Sequence, residues 1–238
     1  MTVQSTSSRY FGISLYKFYI GQNDFTGNLP YIGISGVKEY LPQVVSQISS
    51  SIKEIYELVG RTFLVLNLAP IGCYPAFFSF GCMISYNNAE VEYNNMLKEA
   101  LRQKREGLAD ANVVYDIHSV MLELFQHPTS HDMKYGTKAC CGYGGGDYNF
   151  NQQVFSGNTK LIEGKNITAT ACSDPYNYVS WDGMHATESA NKIVASAILD
   201  GSHVDPPFSL HKLCYIQPIG CSLFTSKNCN KHITTTVS

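Results

Sequence analysis

Thr62-Phe63-Leu64-Val65-Leu66-Asn67-Leu68 decides the fold of this 238-residue chain. Apart from Thr62 and Asn67, every residue in the stretch is apolar. A strand with one wet face alternates polar and apolar residues. A near-continuous apolar run is instead a strand covered on both faces, as in parallel sheets whose crossover helices lie on either side. The flanking segments fit that reading. Leu15 to Gly21 (Leu-Tyr-Lys-Phe-Tyr-Ile-Gly) is a short aromatic and β-branched run closed by glycine, a second strand. Gln22 to Gly36 reads as a loop. Val37 to Val59 places Leu41, Val44, Val45, Ile48, Ile52, Ile55 and Leu58 close to helical period, with Pro42 tolerable only near the start and Gly60 as the stop.

Downstream the alternation continues. Ala69 to Gly81 is a Pro/Gly loop around Cys73, with Cys82 just beyond it. Ser85 to Leu108 predicts a helix whose inner side carries Ala89, Tyr93, Met96, Leu97, Ala100 and Leu101. Asn112 to Ile117 is a third strand, and Ser119 to Phe125 a short helix. Residues from about 127 to 180 form a long irregular region rich in Gly, Tyr and Asn; loops of that size are functional or disulfide-tied. Thr187 to Leu199 is a final helix with Thr187 as its N-cap. Strand–helix repetition of this kind predicts an α/β domain with right-handed crossovers and a site beyond the carboxyl ends of the strands.

Composition narrows the function. Hydrophobic residues make up 44% of the chain, enough for a full core, and the net charge of -2 gives no basic footprint for nucleic acid. No apolar run approaches membrane-spanning length. Eight cysteines without paired C-x-x-C knuckles fit disulfides in an oxidising compartment better than zinc, so no metal or other cofactor is expected. Asn166-Ile167-Thr168 is a glycosylation sequon, which agrees with secretion. Met1 to Ser8 is a polar leader, expected to be disordered and unlike a signal peptide.

Val179-Ser180-Trp181-Asp182-Gly183-Met184-His185-Ala186-Thr187 holds the chemistry. A carboxylate three residues before an imidazole, in one tight turn, can accept a hydrogen bond from one ring nitrogen. The other nitrogen is then free to take a proton from a nucleophile. Surface turns share this spacing, so the quartet gains weight only from its surroundings. Gly21-Gln22-Asn23-Asp24 supplies them, since it too follows a strand at the predicted carboxyl end of the sheet.

These blocks resemble the GDSL (SGNH) hydrolases. Gly21-Gln22-Asn23-Asp24 matches their G-x-N-D block and Asp182-Gly183-Met184-His185 their D-x-x-H block. Leu66-Asn67-Leu68-Ala69-Pro70-Ile71-Gly72-Cys73-Tyr74-Pro75, Cys140-Cys141-Gly142-Tyr143-Gly144-Gly145-Gly146 and Asp174-Pro175-Tyr176-Asn177-Tyr178-Val179-Ser180-Trp181 resemble the plant esterase/lipase branch, in family order over roughly residues 9 to 220. The resemblance implies a flavodoxin-like three-layer α/β/α parallel sheet and hydrolysis of small-molecule, lipid or carbohydrate esters by Ser-His-Asp chemistry. His185 would be general base, Asp182 its orienting acid and Asn23 an oxyanion donor. Asp24 would brace the loop.

The departures matter equally. No G-D-S tripeptide and no G-x-S-x-G elbow occurs in the chain, and Gly33-Ile34-Ser35-Gly36 follows the wrong strand. The expectation is therefore a partial hydrolase domain over residues 9 to 220 that lacks the family's first strands and its serine, inactive alone. The alternative is a non-catalytic binding relative or a non-functional fragment. Cys73 and Cys82 flank a short loop and are one candidate disulfide; Cys140 or Cys141 with Cys172 is the next, with Cys141–Cys172 the pairing expected. Similar sequences often carry a cysteine within the region 154 to 157, which would leave one of the adjacent pair free. His118, His127 and His131 read as surface histidines. Tyr143 to Phe150 reads as a rigid aromatic surface loop, with the lining of an acyl or sugar groove as the alternative, and Cys221 to Ser238 as a disordered tail.

Overall fold

The apolar run at residues 62 to 68 is the middle of the sheet. In the computed structural model, which describes residues 11–77, 82–108, 110–115 and 118–206, β2 (Thr62–Leu66) lies between β1 (Leu15–Tyr19) and β3 (Asn112–Tyr115). Both pairings are parallel, Leu15 opposite Thr62 and Thr62 opposite Asn112. The expectations for Met1 to Ser8 and Cys221 to Ser238 lie outside the described residues.

Alternate side chains of β2 feed two separate cores. Phe63 and Val65 pack with helices α1 (Gln22–Glu57) and α2 (Ile84–Gly107), against Ile48, Ile52, Tyr93 and Leu97. Leu64 and Leu66 face the opposite way, into a cluster built from α3 (His118–Gln126) and α4 (Glu188–Asp200), with Leu124, Val194 and Ile198. A strand between two helical layers has no wet face, which is why its sequence does not alternate. The three-layer α/β/α arrangement expected from sequence is present, with parallel strands joined by helical crossovers.

The segment from Gln22 to Gly36 is a correction. It is not a loop but the first part of α1, which bends at Gly33, where φ is 64° and ψ 179°. Gly27, Pro30, Gly33 and Gly36 carry every local mark of a loop. Tertiary burial overrides them, because Phe25 and Val37 are both 0% exposed and seat the two halves of the helix in the core. Pro42 is likewise deeper in the helix than its reputation allows; its ring faces solvent while Leu41, Val44 and Val45 are buried. Past the helix end, Val59 adopts the left-handed conformation at φ 74°, and the Gly60 amide donates to the Ile55 carbonyl at 2.9 Å.

The region between 127 and 180 is more ordered than its composition suggests. β4 (Tyr135–Ala139) pairs parallel with β9 (Tyr178–Ser180), and β5 (Cys141–Gly142) pairs antiparallel with β8 (Thr170–Ala171). β6 (Thr159–Ile162) and β7 (Lys165–Thr168) form a hairpin. Strands of two to five residues are too short to show a period, so the sequence conceals them.

Disulfides tie this region and the loop after β2. Cys73 bonds Cys82, as the loop spacing suggested, and Cys140 bonds Cys172. The Cys141–Cys172 pairing is thereby corrected. Consecutive residues in extended backbone point to opposite faces, so only one of the adjacent cysteines can meet Cys172. Cys141 is a buried free thiol that accepts a hydrogen bond from Ser156 Oγ at 2.9 Å.

Candidate active site

β9 ends at Ser180, and the chain turns once before entering α4. Gly183, with φ 92°, permits the reversal. Its amide donates to Ser180 Oγ at 3.1 Å, and Ser180 is itself fully buried. Within the turn the Asp182 carboxylate collects three donors. Oδ1 accepts the backbone N–H of Met184 at 3.0 Å and of His185 at 2.8 Å, while Oδ2 lies 2.8 Å from His185 Nδ1. An ionised carboxylate with both oxygens occupied has one orientation, and it fixes the imidazole with it.

Exposure divides the pair. The Asp182 side chain is 19% exposed and the His185 side chain 70%. The acid is thus set into the turn and the base reaches solvent, with Nε2 on the far side of the ring from the carboxylate. Among the described residues Nε2 has no hydrogen-bond partner. Neutral imidazole held through Nδ1–H presents its lone pair at Nε2, which is the form a general base requires.

Neighbouring segments hold the turn from several sides. Trp181 N–H donates to the His185 carbonyl at 2.8 Å, and Cys141 N–H donates to the Trp181 carbonyl at 2.6 Å. Cys140 N–H reaches the Ser180 carbonyl at 3.1 Å, and Ala76 N–H the Gly183 carbonyl at 3.0 Å. The two disulfide-tied loops therefore both end on this turn. Thr187 closes it, accepting the Ala190 N–H at 3.2 Å as the N-cap of α4 and donating to the Tyr178 carbonyl at 2.6 Å.

The start of α1 comes to the same place. Gln22 Nε2 donates to the Met184 carbonyl at 3.4 Å, which joins the Gly21-Gln22-Asn23-Asp24 block to the Asp182–His185 turn across 162 residues of sequence. Asn23 sits in the first turn of α1 with its side chain exposed. Gly21 must be glycine here. It holds φ 111°, and an added Cβ would lie 2.6 Å from the Tyr93 hydroxyl. That hydroxyl donates to the Ile20 carbonyl at 3.2 Å. Burial, and secondarily the nearby Asp24 carboxylate, push the Tyr93 phenol well above its ordinary pKa. Tyr74, beneath the turn, is raised by burial first and then by the charges of Tyr19 and Asp182.

Some contributors were invisible in the sequence. The Phe150 ring packs on Gly183, so closely that a Cβ there would fall 2.5 Å from Phe150 Cδ2. The aromatic loop from Tyr143 to Phe150 is thus a buttress of the turn; Ala139 N–H donates to the Tyr148 carbonyl at 2.9 Å and Asn149 Nδ2 to the Ala139 carbonyl at 3.0 Å. The only advance sign was its density of glycine and aromatics. His118 also departs from expectation: it is 22% exposed, and its Nδ1 lies 2.9 Å from the fully buried Glu90 carboxylate, which Asn94 also contacts. A buried acid must be partnered, and the histidine is drawn inward to do it. His127 stays exposed, its Nδ1 3.0 Å from Glu123. Asn166 lies on β7, outside the turn. No helix among the described residues is long and apolar enough to cross a membrane.

A parallel α/β/α sheet with a histidine bonded to an aspartate beyond its strand ends is a hydrolase-like α/β arrangement. The family model described as GDSL-like lipase/acylhydrolase matches residues 2–198, and the chain belongs to that family. It is 58% identical over 216 residues to the GDSL esterase/lipase At4g01130 of Arabidopsis thaliana, covering 86% of this chain and 56% of that protein. It is 39% identical to the GDSL esterase/lipase ENOD8 of Medicago truncatula, over 87% of this chain and 56% of that protein. An esterase of Hevea brasiliensis is 36% identical over 87% of this chain and 55% of its own length. The chain spans little more than half the length of these curated relatives.

Proposed function

We propose that this chain carries the base half of a GDSL-type carboxylic ester hydrolase, acting on acyl or acetyl esters of small-molecule, lipid or carbohydrate alcohols. The observation that carries the reading is the Asp182–His185 pair, with Nδ1 held at 2.8 Å and Nε2 facing away from the carboxylate. His185 Nε2 takes the proton of a serine hydroxyl as the oxygen bonds to the ester carbonyl carbon. Asp182 stabilises the imidazolium that forms. The side-chain amide of Asn23 donates to the oxyanion, a contribution of ~3 kcal/mol for one such donor. The imidazolium then protonates the departing alcohol, and water, activated by the same base, releases the acid from the serine ester.

The 238 residues contain no G-D-S tripeptide. Base, orienting acid and oxyanion donor are therefore present without an identified nucleophile, and these residues alone do not turn over ester. That gap is also what favours the second reading, a non-catalytic relative that keeps the turn for binding. Secretion is part of the proposal, supported by the Cys73–Cys82 and Cys140–Cys172 disulfides.

One assay decides among these. The purified chain and a fusion behind a G-D-S segment from a family esterase are given a short-chain p-nitrophenyl ester. The expected result is turnover by the fusion only, removed by His185→Ala. Turnover by the 238 residues alone, lost in His185→Ala, overturns the missing nucleophile. An active fusion indifferent to His185→Ala overturns the assigned base.

A further inference from the structure

We infer that Asn166 is an N-glycosylation site and that its glycan covers the exposed side chain of Leu161. The inference rests on the secretion part of the reading above and not on the ester chemistry.

The β6–β7 hairpin has two unlike faces. Its register pairs Thr159 with Thr168, Lys160 with Ile167, Leu161 with Asn166 and Ile162 with Lys165. Side chains alternate across a strand, so Thr159, Leu161, Asn166 and Thr168 share one face. All four are exposed, whereas the other face sets half-buried Ile162 and Ile167 between exposed Lys160 and Lys165. The sequon Asn166-Ile167-Thr168 therefore presents both its acceptor amide and its hydroxyl on the solvent side, with only the middle residue turned inward. It is the one N-x-Ser/Thr sequence in the chain. The strands are joined by a tight turn at Glu163 and Gly164, both at positive φ (49° and 77°). A glycan on Asn166 is accommodated on the solvent side of the folded hairpin.

Leu161 supplies the second observation. It is 71% exposed and stands directly opposite Asn166. Side chains opposed across an antiparallel pair have Cβ atoms about 5 Å apart. A sugar on Asn166 Nδ2 thus lies across the leucine methyls, giving this apolar residue a cover that the described polypeptide does not provide. The base of the hairpin leads through β8 to Cys172 and its bond with Cys140. The disulfide needs the same oxidising compartment in which such glycans are added.

The donor is an oligosaccharide linked through diphosphate to a lipid. Asn166 Nδ2 forms the bond to the anomeric carbon, the bond from that carbon to the diphosphate oxygen breaks, and the lipid diphosphate leaves with the electron pair. The amide nitrogen gives up one proton.

The test is translation of the full chain behind a cleavable export leader in the presence of microsomes, read on the protease-protected fraction. Addition precedes folding in this assay, so an unstable variant still reports. One discrete upward mass step, reversed by peptide N-glycosidase and absent in Asn166→Gln and Thr168→Ala but kept in Thr168→Ser, is expected. Imported chain whose Asn166 peptide is unmodified overturns the site. For the cover, removal of the glycan from secreted protein is expected to raise binding of a hydrophobic dye, and Leu161→Ser to abolish the rise. Dye binding unchanged by deglycosylation overturns the contact with Leu161.

Discussion

His185 is bound twice by Asp182, through its ring at Nδ1 to Oδ2 and through its own backbone N–H to Oδ1, both at 2.8 Å. One carboxylate thereby fixes both where the residue sits and which way its ring faces. The expected consequence is that the Nδ1–H tautomer is the one held when the ring is neutral. Asp182→Ala removes the acceptor, and the Nε2–H tautomer, the commoner form of free imidazole, takes over. Ring nitrogen shifts in a long-range proton–nitrogen spectrum read this in the isolated chain. In a complete enzyme the same substitution is expected to lower kcat by about 10³–10⁴. A ring with the same tautomer in both proteins would remove Asp182 from its orienting role.

Gly183 and Phe150 meet with no room for a side chain between them. Gly183→Ala adds a Cβ 2.5 Å from the ring at a φ of 92°. Left-handed strain and the clash together are expected to cost about 1–3 kcal/mol of stability. Pairing the substitution with Phe150→Leu relieves the clash and not the backbone strain, so the double variant should recover only part of the loss. Urea unfolding of the three proteins measures it. Full recovery would show that the backbone conformation carries no strain.

How much of this was legible depends on how far apart the contacting residues lie. The Asp182–His185 contact spans three residues in one turn, so the quartet displays it directly. The buried strand at residues 62 to 66 is legible for a similar reason, since covering both faces leaves its mark on every residue. The start of α1 was not legible. Gly27, Pro30 and Gly33 argue locally for a loop, and only burial of Phe25 and Val37 in a core assembled from distant helices outvotes them. Phe150 under Gly183 and Gln22 against Met184 are likewise contacts of tertiary origin. The choice between Cys140 and Cys141 turns on the direction of a Cβ, which two identical neighbours cannot encode.

Ser156 Oγ lies 2.9 Å from Cys141 Sγ. The two side chains already approach each other in the interior, and a thiol in place of the hydroxyl would face a buried thiol. Ser156→Cys is expected to form a new disulfide with Cys141 on expression in an oxidising compartment. Peptide mapping under non-reducing conditions identifies it. Closing a loop of this size should add on the order of 3 kcal/mol, read as a higher urea midpoint that reductant abolishes. An introduced thiol that stays reduced beside Cys141 would mean that the Cβ directions forbid the bond.

Alkali is expected to unfold this protein through two phenols. Tyr74 and Tyr93 are buried, and both are held well above the ordinary tyrosine value of 10.0, chiefly by desolvation and further by the Asp182 and Asp24 carboxylates respectively. A folded-state pKa raised above the unfolded one means that the native state keeps its proton where the unfolded chain gives it up. The stabilisation is therefore complete below pH 10 and declines as pH climbs from there toward the folded values. The urea midpoint should be flat from about pH 8 to 9.5 and fall above about pH 10, the unfolded tyrosine pKa. Tyr74→Phe removes one of the two ionisations and should flatten that alkaline limb while leaving the neutral-pH midpoint nearly unchanged, since no hydrogen bond from its hydroxyl is among those described. Tyr93→Phe should flatten it as well, but at the cost of the bond to the Ile20 carbonyl, about 1 kcal/mol lower stability at neutral pH. An alkaline limb equally steep in the double variant would assign the transition to other groups.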